Sequence, residues 1–145
     1  MTWDQLKNLP KDRVNDFQGA AISVVGFLSH QVKVEKGSGE STNCHLTGDN
    51  EVDWHIYLTN LAAQPISQAI IVETTPRVRP LHKWSKSTLD PLVDSSTQVR
   101  ISGWLMYDFE HENVIGTQRA SVWEIHPITR IQIMNNGQWV DLDNQ

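Results

Sequence analysis

Ala20-Ala21-Ile22-Ser23-Val24-Val25-Gly26-Phe27-Leu28-Ser29-His30-Gln31-Val32-Lys33-Val34-Glu35-Lys36 is the stretch on which the fold turns. Gly19 opens it, and nothing in it stops an extended chain. After the glycine at 26, Leu28, Val32 and Val34 alternate with Gln31, Lys33 and Glu35, the period of a half-buried strand. A glycine inside such a run marks a bend or the close approach of another backbone. The stretch therefore predicts one long first strand, bent near its middle.

Four further strands follow from the same pattern: 52–59, 69–74, 98–108 and about 118–134. In the second, Val52, Trp54, Ile56 and Leu58 share a face, and in the fourth Val99, Ile101, Gly103, Leu105 and Tyr107 do. Pro127 places the fifth strand at an edge or a bulge there. Residues 37–51 are rich in turn formers and read as a surface loop. Between the third and fourth strands, residues 87–93 predict a short capped helix with Leu89, Leu92 and Val93 inward. Thr2-Trp3-Asp4-Gln5 is a capping box, Pro10 interrupts what it starts, and Val14 and Phe17 continue the apolar stripe.

The expected fold is all-β with minor helix: a five-stranded OB-fold-like barrel over residues 19–134, preceded by a helical lead-in, 1–18, and followed by a tail, 135–145. Asn135-Asn136-Gly137 makes a turn, and Trp139 and Leu142 tuck the tail back.

At 145 residues the chain is long enough for one real core. No apolar run reaches a membrane span, and the start has neither the basic nor the apolar region of a leader. The expectation is a soluble, cytoplasmic protein, although a chain that had lost a leader would read the same way. One cysteine, Cys44, forms no internal disulfide. The net charge of −5 argues against coating nucleic acid by bulk electrostatics. The one basic cluster is Arg77, Arg79, His82, Lys83 and Lys86, with Trp84 inside it. It reads as a solvated loop or as an anion contact.

Two acid-x-His pairs stand out. Asp53 and His55 share one strand face, and Glu124 and His126 share another. If the second and fifth strands bring these faces together, the four side chains offer the donor types of a divalent-metal site. Hydrogen-bonded ion pairs tying strands together, or acid/base catalysis, use the same residues. Glu73, at the end of the third strand, is expected to pair with Arg77 or Arg79. Cys44-His45 sits in the polar loop, and adjacent residues rarely form a nucleophile and its base.

Asn43-Cys44-His45, Asp53-x-His55-Ile56, Glu73-x-x-Pro76-Arg77, Gly103-Trp104-Leu105 and Trp123-Glu124-Ile125-His126-Pro127 resemble a bacterial family of uncharacterised OB-fold, nucleic-acid-binding-like proteins. The resemblance implies the barrel and a nucleic-acid-like ligand, but no catalytic residues. Asp-Gly-Asp-Thr, the mark of nuclease-type OB enzymes, is absent from the sequence.

Two functions follow as expectations. The first is a binding module for single-stranded nucleic acid or another polymeric or anionic ligand. It would use Arg77, Arg79, Lys83 and Lys86 with Trp84 or Tyr57 as stacking rings. The second is a metal-dependent hydrolase or nuclease built on Asp53, His55, Glu124 and His126.

Overall fold

The computed structural model describes residues 1–36 and 43–145. The expected loop at 37–51 lies outside the described residues from 37 to 42. Five strands close into a mixed barrel: β1 (Ala21–Val34), β2 (Trp54–Thr59), β3 (Ile70–Thr74), β4 (Val99–Tyr107) and β5 (Trp123–Asn135). The order runs β3-β2-β1-β4-β5, and β3 returns to pair with β5. Every pairing is antiparallel except this closing one, where Val72 meets Ile125 in parallel. The all-β barrel with minor helix that alternation predicts is the fold found.

Gly26 is where β1 changes partners. Ala21 to Gly26 pair with β4, and from Phe27 onward β1 pairs with β2. A Cβ at Gly26 would lie 2.5 Å from the Thr59 carbonyl oxygen. The register irregularity in β1 falls further on, between Ser29 and Val32, where His30 has a φ of 69°. One glycine therefore permits the hand-over, and a separate bulge adds the twist.

Pro127 sits where β4 and β5 lose register. Gly103 pairs with Ile128 and Leu105 with Ile125, so β5 carries an extra residue there. That is the bulge a proline without an N–H demands.

The inward faces supply one core. Val24, Leu28, Ile56, Leu58, Ile70, Val72, Ile101, Leu105, Ile125 and Ile128 are buried together. The lead-in adds Trp3 and Leu6 to it from α1 (Trp3–Lys7). The capping box forms as read, with Gln5 N–H donating to Thr2 Oγ1 at 3.1 Å and Thr2 N–H to Gln5 Oε1 at 2.8 Å. Trp3 Nε1 donates to the Leu58 carbonyl at 3.0 Å, which pins the lead-in to β2. After a 3₁₀ turn, Lys11–Arg13, a second short helix, α2 (Val14–Phe17), continues to the barrel. The predicted helix between β3 and β4 is α3 (Lys86–Leu89) running into a 3₁₀ turn, Asp90–Leu92, and it buries Leu89 and Leu92.

The residues read as a tail form a sixth strand, β6 (Gln138–Asp141), antiparallel to β5. Asn136 and Gly137 both have positive φ, at 49° and 80°, the backbone a two-residue hairpin loop needs. Leu142 then returns to the core. The start of β5 falls at Trp123, later than alternation suggests, because residues before it belong to the β4–β5 loop.

Gly103 carries the tightest constraint. A Cβ there would meet the Pro127 carbonyl oxygen at 2.4 Å and Ile125 Cγ2 at 2.6 Å. Gly103→Ala is expected to destabilise the fold by about 1–3 kcal/mol, the cost of overpacking. Denaturant unfolding of the variant against the wild type measures it; an unchanged midpoint would show that β5 yields freely.

Candidate functional site

Alternation along β2, β3 and β5 sends one set of side chains inward and leaves the other on the barrel's outer surface. On β2, Trp54, Ile56 and Leu58 enter the core, so His55 and Tyr57 face out. On β3, Glu73 faces out. On β5, Trp123 and Ile125 go in, so Glu124 and His126 face out. Pairing register does the rest. His55 lies opposite Glu73 across β2 and β3. The parallel contact of Val72 with Ile125 brings the next residues, Glu73 and His126, alongside each other.

The result is an alternating row of acids and bases. Lys33 Nζ lies 2.6 Å from Glu35 Oε1, and His55 Nδ1 lies 3.0 Å from the same oxygen. His55 Nε2 lies 2.7 Å from Glu73 Oε1. The other Glu73 oxygen, Oε2, lies 3.6 Å from His126 Nδ1, and His126 Nε2 lies 3.5 Å from Asp53 Oδ2. Asp53 is held at the start of β2 and is only 3% exposed. The hydrogen bond to Glu35 raises the Lys33 ammonium above its usual value, against the opposing effect of burial.

Glu124 heads a second group under the β4–β5 loop. It is 1% exposed. Arg119 Nη1 donates to Glu124 Oε1 at 2.5 Å and to Asp108 Oδ2 at 2.7 Å. His111 Nδ1 lies 2.6 Å from the same Asp108 oxygen. Burial, and then the Glu73 charge, push the Glu124 carboxyl well above the ordinary glutamate range; Arg119 opposes this without cancelling it. Burial also pushes Asp108 up, but the hydrogen bond from Glu124, the Arg119 guanidinium and His111 outweigh it, and Asp108 stays below its usual value. Burial and the ion pair therefore move the two carboxyls in opposite directions, Glu124 up and Asp108 down.

The structure thus brings Asp53 and His126 together, as the matched spacing suggests. It places His55 between Glu35 and Glu73, and Glu124 against Arg119. Glu73, expected beside an arginine, instead lies between two imidazoles. Asp53, Glu73 and His126 form a group whose donor atoms all lie within 4.8 Å of one another. Glu35, Asp108 and Arg119 are members of these two charged groups that pattern reading does not single out. Only strand register and loop path bring them in.

The basic cluster is dispersed by comparison. Arg79 is 5% exposed. Its Nη1 donates to the Thr74 carbonyl at 3.0 Å and its Nη2 to the Val52 carbonyl at 2.9 Å. The guanidinium lies 4.1 Å from the Trp54 ring centre. Lys86 Nζ donates to the Val32 carbonyl at 2.8 Å. Arg77 and Lys83 are exposed. Trp84 is buried and stacks on His82, with ring centres 3.8 Å apart. Tyr57 is buried with Ala69 and Ile71, and burial raises its phenol above the usual value. Cys44 is exposed in the β1–β2 loop.

No helix among the described residues is long and apolar enough to cross a membrane. No family model, curated protein or solved structure gives a significant match to this chain.

Two consequences are measurable. Arg119→Met removes the cation from the buried Glu124 and the half-buried Asp108 and is expected to cost about 3–5 kcal/mol at neutral pH. Denaturant unfolding reads this directly, and a loss below 1 kcal/mol would contradict it. Glu124 sets a pH dependence. Its pKa in the fold lies above the ordinary glutamate value of 4.5, so the folded chain retains this proton to higher pH than the unfolded one. Its contribution to stability therefore falls as pH rises above that point. Glu124→Gln is expected to flatten this decline in a pH series of unfolding curves. A variant whose decline matches the wild type would place the effect elsewhere.

Proposed function

We propose that this chain is an OB-like binding module that takes a cation on the outer face of β2, β3 and β5. OB barrels use the face of their second and third strands, between the loops that follow strands one and four, as a ligand surface. In this chain that face gathers Glu35, Asp53, Glu73, Asp108 and Glu124, with Lys33, Arg119 and, behind Asp53, Arg79 as the permanent cations. The observation that carries the reading is Asp53. Its carboxyl is buried, and Oδ1 accepts no hydrogen bond from any described residue. A buried acceptor without a donor is costly, and a cation beside it removes the cost.

The reading of a single-stranded nucleic-acid ligand draws on the barrel alone. Phosphate binding needs accessible Lys and Arg. Of the four expected contacts, Arg79 and Lys86 are engaged with backbone carbonyls, and the rings expected to stack, Trp84 and Tyr57, are buried. A metal-dependent hydrolase is the enzymatic form of the cation reading, and it needs an open coordination position as well as the ion.

Amide chemical shifts of isotopically labelled protein, titrated separately with Zn²⁺, Ca²⁺, spermidine and single-stranded oligo(dT), test the proposal. At least one cation is expected to move His55, Glu73, Glu124 and His126, with oligo(dT) leaving them in place. The proposal is overturned if no cation moves them, or if oligo(dT) does.

A further inference from the structure

We propose that Asp53, Glu73 and His126 hold a divalent transition-metal ion, with His55 as a positioning residue that fixes Glu73. This rests on the cation reading above and names the ion class and its ligands. The three residues arrive from different elements: Asp53 from the end of the β1–β2 loop, Glu73 from β3 and His126 from β5. Each offers one donor atom, and the three atoms lie within 4.8 Å of one another. Ligand bonds of about 2.0–2.2 Å put neighbouring donors on one ion about 3–4 Å apart, so donors as far apart as 4.8 Å close by about 1–2 Å to complete three coordination positions.

Asp53 supplies the independent sign. Its side chain is 4% exposed; Oδ2 lies 3.5 Å from His126 Nε2, and the other oxygen, Oδ1, is buried with no hydrogen-bond donor among the described residues. A cation is the partner that a buried carboxylate oxygen in this setting lacks.

The donor set selects the ion class. One imidazole with two carboxylates suits Zn²⁺, Mn²⁺ or Co²⁺. Ca²⁺ and Mg²⁺ take oxygen ligands throughout. The His126 side chain, 21% exposed against 4% for Asp53 and 7% for Glu73, marks the side on which the remaining coordination positions open to solvent.

His55 does not join the ligands, because both its ring nitrogens are engaged. Nδ1 faces Glu35 Oε1 at 3.0 Å and Nε2 faces Glu73 Oε1 at 2.7 Å. That contact holds one Glu73 oxygen and turns the other, Oε2, toward His126. Carboxylates that ligate metals are commonly held by such outer hydrogen bonds, which contribute about 10–100-fold in affinity. Glu124 is likewise taken, by Arg119.

The test uses chelator-treated protein titrated with Co²⁺, followed by its visible absorption, and with Zn²⁺ by calorimetry. Wild type is expected to bind one ion per chain. Asp53→Asn and His126→Gln are each expected to weaken binding by more than the outer-partner range of about 10–100-fold. His55→Gln is expected to fall within that range and to keep the cobalt spectrum and the unfolding midpoint. Cys44→Ser, which removes the exposed thiol nearby in sequence, is expected to bind as wild type. If Asp53→Asn does not fold by circular dichroism, His126→Gln, on a partly exposed side chain, decides. Binding unchanged in His126→Gln and Asp53→Asn, or lost in Cys44→Ser, overturns the ligand set while leaving a cation face intact. Affinity unchanged in His55→Gln overturns its positioning role. If neither Co²⁺ nor Zn²⁺ binds but Ca²⁺ or spermidine moves the face, the ion class is wrong. If no cation acts at all, this site and the cation reading fall together.

Discussion

Closure of the barrel through the parallel contact between β3 and β5 is the constraint from which the rest follows. It is a narrow contact, with Val72 opposite Ile125. Both residues face the core, so the contact is set by burial of apolar surface. Fixing it also fixes what lies one residue further along each strand, on the opposite face. That is Glu73 on β3 and His126 on β5. A slip of one residue in either strand would send a charged group into the core and an isoleucine or valine to the surface. The hydrophobic pattern inside the barrel therefore dictates the chemistry outside it.

Energetically, the outer face is an unusual place to collect so much charge. Even so, Asp53, Glu73 and Glu124 are almost fully buried. A buried carboxylate is tolerable only if it is paired or protonated. The face uses both solutions. Lys33, His55 and His126 alternate with Glu35, Glu73 and Asp53, and each acid lies beside a base. Burial pushes the Glu124 carboxyl toward its protonated form beside Asp108 and Arg119. Such pairs add little net stability relative to apolar packing, because desolvation offsets their attraction. Their value lies in holding donor atoms in a defined geometry.

Alternation made most of this fold legible. Period-two runs locate all five barrel strands, and Gly26 marks where β1 passes from one partner to the other. The acid-x-His spacing places these pairs on the outer face, since parity alone separates Glu124 and His126 from Trp123 and Ile125. Parity does not give partners. Glu73 is one acid on an otherwise apolar strand, and nearby arginines are its obvious neighbours in sequence. Its real neighbours, His55 and His126, come from register across two other strands. Asp108 and Arg119 bracket a loop with no periodicity, so nothing local signals that they meet over Glu124. The sixth strand was hidden for a different reason. Asn136-Gly137 announces a turn, but Trp139 and Val140 acquire a strand's pairing only because β5 extends far enough to receive them.

Arg79 shows how the two candidate chemistries are joined. In sequence it belongs to the basic cluster and looks like a phosphate contact. In the fold its guanidinium reaches back to the Val52 carbonyl, the residue before Asp53, and to the Thr74 carbonyl, the residue after Glu73. The Trp54 ring, next in the chain after Asp53, lies against the same guanidinium. Burial lowers the pKa of Arg79, with Asp53 acting in the opposite direction. A guanidinium stays charged even so, and its planar array of donors can satisfy several carbonyls at once. One arginine therefore clamps the backbone on both sides of the acidic group and holds Asp53 and Glu73 at a set separation. A residue that in sequence suggested an anion contact serves in the fold to hold the backbone around two buried acids.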